Sequence, residues 1–467
     1  MHNFALRYQL NNCFLHLDNH KVYLVSKGKY AEMTRIRLSL SAAIILNSFD
    51  GKRSVGDIIQ TLSCIFSLSD LEAQEAVCKV IDRFQDYLTL DRKNINVERL
   101  SLQILLKEFV PYQAEEFNLT RASSPKKEIV YMACPLCDFS CLYCYANMSH
   151  DKRELHYLPL PRWEKIMAEG KKYECKNVFF SGGDPLLNPY ITSYISIAAY
   201  NDFQTTLSTK RYISPMEMLS LKEHGLSCLQ ISLDSSDNRI AAKMTGVRDS
   251  YEQVIGTIKN AKAQRISIRS KSVITSYNID QIPQLIELLC DLGVEEVSLN
   301  HYAASAGRFH NSLYPTADEL DALDDKISHL QEKYGKDRIS YEFGKSSFFK
   351  VGRNDLNMQR KLCAACKDTI IINYDGKVYF CEYLMDDERF IVGDLNTSGL
   401  MDIWNSNLLK SWFEPDRQKF FNTKCYDCKL FERCFPRRCY LRSRLAYQNP
   451  FQIDPWCPYS DFKEVII

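Results

Sequence analysis

The sequence predicts an α/β chain built in three parts. Between residues 128 and 334, short apolar runs alternate with helical stretches six times, the pattern of a parallel sheet. Ahead of that region, short strands followed by three helical stretches predict a small α+β domain. Behind it, from about residue 355, loops, short aromatic segments and closely spaced cysteines predict a thin core held by metal ligation. At 467 residues the chain is too long for one ordinary core.

Residues 1–92 read as an independent winged-helix-like domain. Tyr8–Leu10, Cys13–Leu17 and Lys21–Val25 are short strands separated by the polar turns Asn11-Asn12 and Asp18-Asn19-His20. A first helix covers Ser41–Phe49 and stops at Asp50-Gly51. A second runs from Ser54 to Phe66 with Val55, Ile58, Ile59 and Leu62 on one face. A third starts at Ser69, where Ser69-x-x-Glu72 is a capping box, and carries Val77, Val80, Ile81, Phe84 and Leu88. Such a module is either a structural appendage or a peptide binder that takes an extended ligand as an added strand. None of the three helices has a dense Lys/Arg face, which argues against nucleic acid. Residues 93–126 read as a linker, ending in the polar run Thr120-Arg-Ala-Ser-Ser-Pro-Lys-Lys127.

Residues 127–340 hold the six strand–helix units. The strands are Ile129–Met132, Asn177–Phe180, Thr205–Leu207, Leu229–Leu233, Ile268–Ile274 and Glu296–Leu299; Pro161–Lys171, Pro215–His224, Tyr251–Lys262, Asp280–Leu292 and Ala317–Lys333 are helical. Six units are fewer than the eight of a closed barrel, so we expect a partial (β/α)6 TIM-like barrel. Sites on such sheets lie at the C-terminal ends of the strands. Residues 341–467 form the third, Cys-rich part.

Charge and composition exclude several classes of function. The 59 basic and 58 acidic side chains nearly cancel, so no bulk attraction to nucleic acid or membrane is expected. The N-terminus lacks a signal-peptide pattern, and no apolar stretch approaches a membrane span, so a cytoplasmic protein is expected. Eighteen cysteines in a reducing compartment point to metal rather than disulfides, because they cluster: four lie between Cys134 and Cys144, and eight between Cys363 and Cys457.

The most informative stretch is Cys137-Asp-Phe-Ser-Cys141-Leu-Tyr-Cys144-Tyr145, which follows the first barrel strand. Three thiolates without a fourth suit an iron–sulfur cluster with one open iron. The alternative is a closed zinc site with Cys134 as the fourth ligand. Cys134 is otherwise a packing residue or a candidate hydrogen donor, the one candidate catalytic side chain. Further along, Phe180-Ser-Gly182-Gly183-Asp184-Pro185 follows the second strand, Thr209 the third, and Ile231-Ser232-Leu233-Asp234 closes the fourth. The glycines let backbone approach a ligand closely, and Asp184 can receive a cation. Turn and cap roles are the plain alternative for Ser232 and Asp234.

Cys137-x3-Cys141-x2-Cys144 resembles the signature of radical S-adenosylmethionine enzymes. The resemblance implies a 4Fe–4S cluster on Cys137, Cys141 and Cys144 whose open iron chelates S-adenosylmethionine. Reductive cleavage of the sulfonium then yields a 5′-deoxyadenosyl radical that abstracts a substrate hydrogen. It also implies that Tyr143, Gly182, Gly183, Asp184, Thr209, Ser232 and Asp234 line the cofactor. Asp184 stands where the family has Glu, one methylene longer. Cys363-x2-Cys366, Cys381, Cys425-x2-Cys428-x5-Cys434-x4-Cys439 and Cys457 resemble the SPASM domain, with x4 where x3 is usual before Cys439. That resemblance implies two auxiliary 4Fe–4S clusters, one on Cys363, Cys366, Cys381 and Cys439 and one on Cys425, Cys428, Cys434 and Cys457. Full ligation favours electron relay. If Cys363 or Cys366 is not a ligand, an open iron is left for a substrate thiolate. Structural zinc is the alternative for the Cys-x2-Cys pairs.

The first 92 residues resemble the RiPP recognition element, which binds the leader of a ribosomally made precursor peptide. Together the three parts resemble sactipeptide- or ranthipeptide-type maturases, and imply a thioether-forming enzyme supplied with electrons by a flavodoxin or ferredoxin. Carbon–carbon crosslinking and epimerising maturases are alternatives within the class. Anaerobic sulfatase maturases are further off, and a non-catalytic, zinc-stabilised peptide-binding adaptor is the alternative outside it.

Overall fold

The computed structural model describes residues 4–10, 13–18, 21–27, 33–66, 68–90, 122–146, 155–303, 305, 311–341, 363, 365–428, 431–434, 438–455, 457 and 459–460. It divides into two units, Met1–Thr120 and Arg121–Ile467. Most of the expected linker, residues 93–121, lies outside the described residues. Residues 122–126 belong to the second unit: Ala122 N–H donates to the Lys367 carbonyl (2.8 Å) and the Ser124 hydroxyl to the Tyr173 carbonyl (2.8 Å).

In the first unit, β2 (Cys13–Asp18), β3 (Lys21–Lys27) and β4 (Met33–Arg37) form an antiparallel sheet in that order. β1 (Gln9–Leu10) lies against β5 (Leu88–Thr89), in register Leu10↔Leu88, and the sequence pattern shows neither β4 nor β5. Helices α1 (Leu40–Ser48), α2 (Val55–Phe66) and α3 (Asp70–Phe84) fall where their periodicity put them. The capping box is present, with Ser69 N–H donating to the Glu72 carboxylate (2.9 Å) and Glu72 N–H to the Ser69 hydroxyl (3.3 Å). Leu15, Leu24, Ile44, Phe49, Ile58, Val77 and Ile81 are buried together as a core.

The second unit is built on a ten-stranded sheet in the order β12-β11-β10-β9-β8-β7-β6-β13-β14-β15. Its strands are β6 (Glu128–Cys134), β7 (Asn177–Gly182), β8 (Gln204–Thr209), β9 (Cys228–Ile231), β10 (Ser267–Ile274), β11 (Glu296–His301), β12 (Ile339–Tyr341), β13 (Thr369–Asn373), β14 (Lys377–Tyr379) and β15 (Ile391–Asp394). β12 through β6 and on to β13 are parallel, and β14 and β15 add an antiparallel hairpin edge. The expected six strands are all present, and the Cys-rich segment extends their sheet. The apolar run Ile370–Ile372 pairs with Ile129–Tyr131, so barrel and C-terminal segment share one core.

Alternation along each strand separates two environments. Val178, Phe180, Leu207, Leu229, Ile231 and Ile268 face the helices and are buried. Val130, Phe179, Ser208, Gln230 and Lys271, offset by one residue, line an internal cavity. On the helix side, Trp163 of α4 (Leu160–Lys172) stacks on Tyr131 at 4.8 Å and meets Tyr194 of α5 (Ile191–Tyr200) edge-on at 5.6 Å. Two contacts tie α4 to the C-terminal segment. Glu169 accepts from the N–H groups of Leu400 (2.8 Å) and Met401 (3.0 Å), and Arg162 donates to the carbonyls of Leu395 and Ser398. Among the described residues no helix is long and apolar enough to cross a membrane.

Candidate active site

The loop after β6 carries the three thiols, and local backbone contacts fix it. Ser140 N–H donates to the Thr245 carbonyl (2.9 Å) and Leu142 N–H to that of Met244 (2.9 Å), at the end of α6 (Asn238–Thr245). That helix was not read from the sequence, though Asp237 caps it through the N–H groups of Arg239 and Ile240. Phe139 N–H donates to the Cys137 sulfur at 3.4 Å. Cys137, Cys141 and Cys144 line a cavity of about 440 Å³. Burial pushes the Cys137 thiol up to about 12, and the thiols of Cys141 and Cys144 add to this. The three thiols therefore feel one another, the condition for a shared cationic ligand.

The segment after β7 abuts this loop. Gly182 has φ +129°, and a Cβ there would lie 2.5 Å from the Cys134 carbonyl oxygen. Gly183 N–H donates to the Cys134 carbonyl and Asp184 N–H to that of Leu136, each at 2.7 Å. The first glycine thus allows a close backbone-to-backbone approach, and Gly182, Gly183 and Asp184 all line the cavity. Asp184 accepts from the Thr209 hydroxyl (2.6 Å) and from Leu186 N–H (3.0 Å). Burial raises its carboxyl to about 6, against the lowering effect of the Thr209 hydrogen bond.

Ser232 also lines the cavity. Asp234 is buried behind it, accepting from the Tyr143 hydroxyl and from Val273 N–H (2.8 Å), with Lys210 Nζ at 3.8 Å. Lys210, which the sequence reading missed, lies 5.4 Å from the Tyr143 ring centre and faces the cavity. Burial alone lowers a lysine's pKa, but Asp234 and the three loop thiols outweigh it and hold Lys210 above its ordinary value. Cys134 points elsewhere: its sulfur sits 3.6 Å from the Tyr157 hydroxyl, and it is not among the described residues lining the cavity.

The same cavity reaches the C-terminal segment, where Cys363, Cys366, Cys381, Glu382 and Tyr383 also line it. Burial and the neighbouring Cys439 thiol push Cys363 up to about 11, and burial with Cys363 and Cys439 raises Cys381 further. Three of the four thiols expected in the first auxiliary set are thus mutual neighbours. Cys366 is buried with φ +47°, and its thiol faces the carbonyls of Tyr379 (3.6 Å) and Phe380 (3.4 Å). In the second set Cys425 and Cys428 interact, Cys434 ends a short helix (Phe431–Cys434), and Cys457 N–H donates to the Asp454 carbonyl (2.7 Å). Within the same lining, Tyr145 stacks against Tyr383 at 4.6 Å and donates to Glu382 (3.3 Å). Among the described residues no three His, Cys, Asp or Glu side chains converge on a single-ion centre. Soft thiols in sets around one cavity fit iron–sulfur clusters.

A parallel sheet with three loop thiols at its C-terminal mouth, and further thiols lining the same cavity, is a donor set of the kind that iron–sulfur proteins use. The Radical SAM superfamily model matches residues 131–289, and the iron-sulfur cluster-binding (SPASM) domain model matches residues 363–429. Residues 131–289 thus carry a Radical SAM domain and residues 363–429 a SPASM domain. The chain is 25% identical over 210 residues to the PqqA peptide cyclase of Bradyrhizobium diazoefficiens, a match covering 44% of this chain and 55%, about half, of that protein. Over 264 residues it is 26% identical to a probable GTP 3′,8-cyclase of Sulfurisphaera tokodaii, covering 54% of this chain and 80% of the relative. In fold it is similar to Streptococcus suis SuiB bound to precursor peptide SuiA (TM-score 0.57, 17% identity, 96% of this chain and 99% of that one). It is also similar to anSMEcpe with bound AdoMet (TM-score 0.51, 15% identity, 71% and 93%).

Proposed function

We propose that the enzyme matures a ribosomally made precursor peptide by forming an intramolecular thioether from a cysteine sulfur to a carbon. The observation that carries this reading is one cavity lined both by the loop thiols Cys137, Cys141 and Cys144 and by the C-terminal thiols Cys363, Cys366 and Cys381. A substrate residue held there meets both the hydrogen-abstracting centre and an electron acceptor. The names of two relatives support a peptide substrate: PqqA peptide cyclase, and SuiB with its precursor peptide SuiA.

When bound, S-adenosylmethionine on a reduced 4Fe–4S cluster supplies a 5′-deoxyadenosyl radical. Cys137, Cys141 and Cys144 would hold that cluster, and Cys425, Cys428, Cys434 and Cys457 the outer auxiliary one. Asp184, with Thr209 orienting one of its oxygens, would receive the methionine ammonium. Gly183 and Ser232 offer polar backbone and side-chain groups in the same cavity, and Lys210 screens the negative charge of the thiolates. Cys366, turned toward two carbonyls, leaves Cys363, Cys381 and Cys439 as the ligands of the inner auxiliary site and a position there for the substrate's own thiol. The N-terminal unit would capture the peptide's leader on its three-stranded sheet, and a flavodoxin- or ferredoxin-type carrier would supply electrons.

The test is anaerobic incubation with reductant, S-adenosylmethionine and the cognate precursor. A thioether leaves the core peptide two hydrogens lighter and consumes one cysteine thiol. Loss of two hydrogens with every thiol still alkylatable identifies carbon–carbon coupling, and a product of unchanged mass identifies epimerisation; either overturns the thioether.

A further inference from the structure

The C-terminal segment shows an aromatic face to solvent at the loop that carries Cys425 and Cys428. Phe421 is 61% exposed and Tyr459 59%. Side-chain contacts hold both in one surface. The Phe421 ring meets Tyr426 edge-on at 5.4 Å, and the Gln418 amide donates to the Tyr426 hydroxyl (3.1 Å). Lys424 Nζ donates to the Tyr459 carbonyl (3.0 Å) and so joins the loop to the chain that follows Cys457. Arg417, half-buried, fixes the loop by donating to the carbonyls of Tyr426 (2.9 Å) and Cys428 (3.1 Å). Large rings held in place yet left in water mark a surface that a partner covers.

The same segment is positive. Residues 407–447 hold ten Lys and Arg against four Asp and Glu, in a chain whose totals are 59 and 58. Three of the ten are engaged: Arg438 is buried, Arg442 pairs with Asp454 (2.7 Å) and Arg444 with Asp386 (2.7 Å). The others still outnumber the acids, one of which, Asp416, caps Gln418 N–H (2.9 Å). Lys419 and Lys424, two residues before Phe421 and two before Tyr426, are both exposed. Positive charge around an apolar centre draws in an acidic partner from a distance and lets ring contacts hold it.

We propose that this face is the docking surface for a small acidic electron-carrier protein of the flavodoxin or ferredoxin type. Cys425 and Cys428 share a loop with Lys424 and Tyr426, and the match to an iron-sulfur cluster-binding domain runs through both, to residue 429. A carrier seated on the rings is therefore one or two residues along the chain from thiols of that domain. Each encounter moves one electron: the carrier is oxidised, an iron–sulfur centre of the domain is reduced, and no bond or proton is exchanged. Electron-transfer complexes bury less than about 1,200 Å² in total, so a short loop face suffices for a partner that must also leave. This rests on the electron supply in the function proposed above.

The test uses the full chain, reconstituted anaerobically and assayed for iron and sulfide, with an oxidised flavodoxin and an oxidised ferredoxin as separate probes. Thermophoretic titration at low salt should show one of them binding, with an affinity that falls as salt rises. Lys419→Glu and Lys424→Glu should each weaken binding about three-fold or more, and Phe421→Ala about ten-fold. Lys165→Glu and Lys259→Glu, exposed on barrel helices, should leave it unchanged. Reduction of the chain's clusters by reduced carrier should slow in step with affinity, while reduction by titanium(III) citrate keeps its rate. Phe421→Ala removes only an exposed ring, so it decides alone if a lysine variant fails to hold iron. Binding of neither carrier, or equal weakening by the barrel variants, overturns the proposal. A carrier displaced by the precursor peptide, or a dimer of the chain that Phe421→Ala dissolves, assigns the face to another occupant and overturns it as well. Turnover driven by titanium(III) citrate separates the two readings, because absence of thioether there refutes the function whatever the carrier does.

Discussion

The hydroxyl of Tyr143, between the second and third loop thiols, donates to the buried carboxylate of Asp234, 91 residues later in the loop that follows β9. With Val273 N–H on the other oxygen and Lys210 at 3.8 Å, Asp234 holds the loop against the barrel instead of reaching into the cavity. A hydrogen bond to a buried charge contributes on the order of 1.5–3 kcal/mol. Tyr143→Phe removes the bond and keeps the ring. We expect iron at the loop to be retained, while S-adenosylmethionine binds roughly ten-fold or more weakly because the loop is no longer held. Calorimetric titration of the reconstituted enzyme checks this, and an unchanged Kd refutes the positioning role.

Asp184 gives a pH dependence with a definite sign. Its carboxyl is raised from 3.8 to about 6 by burial, so between those values the folded chain binds more protons than the unfolded one. Stability from this group is therefore greatest below pH 3.8, declines as pH rises to about 6, and is constant above. Binding of a cationic amine runs the other way, because it needs the carboxylate. Affinity for S-adenosylmethionine should fall about ten-fold per unit as pH drops below 6. In Asp184→Asn it should be weak and flat across the same range.

The parts that were legible in the sequence are those encoded within a few residues. Spacing put Cys137, Cys141 and Cys144 on one loop, and the Ser69–Glu72 box is local hydrogen-bond chemistry. The six barrel strands showed as apolar runs because helices cover one face of each. What was not legible depends on distant chain. β13 joins the barrel through Thr369↔Glu128, and no local pattern in Ile370–Ile372 says which strand it pairs with. Asp234 looked like a ligand-facing residue because its partner, Tyr143, lies on another element. Gly182 lines the cavity, and what no local pattern shows is that its missing Cβ also makes room for the Cys134 carbonyl. Lys210 carried a signal that was overlooked: a lysine at the end of a barrel strand, directly after Thr209.

Glu169 is the clamp between barrel and Cys-rich segment. Its carboxylate receives the N–H groups of Leu400 and Met401 at the start of the helix Leu400–Trp404, where backbone donors lack partners of their own. Glu169→Ala leaves both donors unpaired near α4, at a cost of about 2–4 kcal/mol for two charge-assisted bonds. The consequence should be local. We expect a lower Tm and faster proteolysis after residue 390, with the loop cluster's EPR signal unchanged. Equal loss of signal from every cluster would show that Glu169 serves the whole fold instead.

Cys134 decides whether the loop site has three thiols or four. It precedes Cys137 by three residues, and a fourth thiolate there would close the coordination that a substrate-binding cluster must leave open. Its sulfur is turned to the Tyr157 hydroxyl at 3.6 Å, in a pocket that includes Tyr190 and Tyr374 around Tyr157. Burial raises its pKa as it does those of Cys137 and Cys141, so what sets Cys134 apart is its direction: it faces Tyr157 and is not among the described residues lining the cavity. Cys134→Ala should therefore keep the iron and sulfide content of the native chain and its S-adenosylmethionine-induced EPR shift. The lost thiol and its contact with Tyr157 should lower stability by about 1 kcal/mol. Loss of one cluster's iron in this variant would establish Cys134 as the fourth ligand. Retained iron with abolished turnover would instead make it the hydrogen donor.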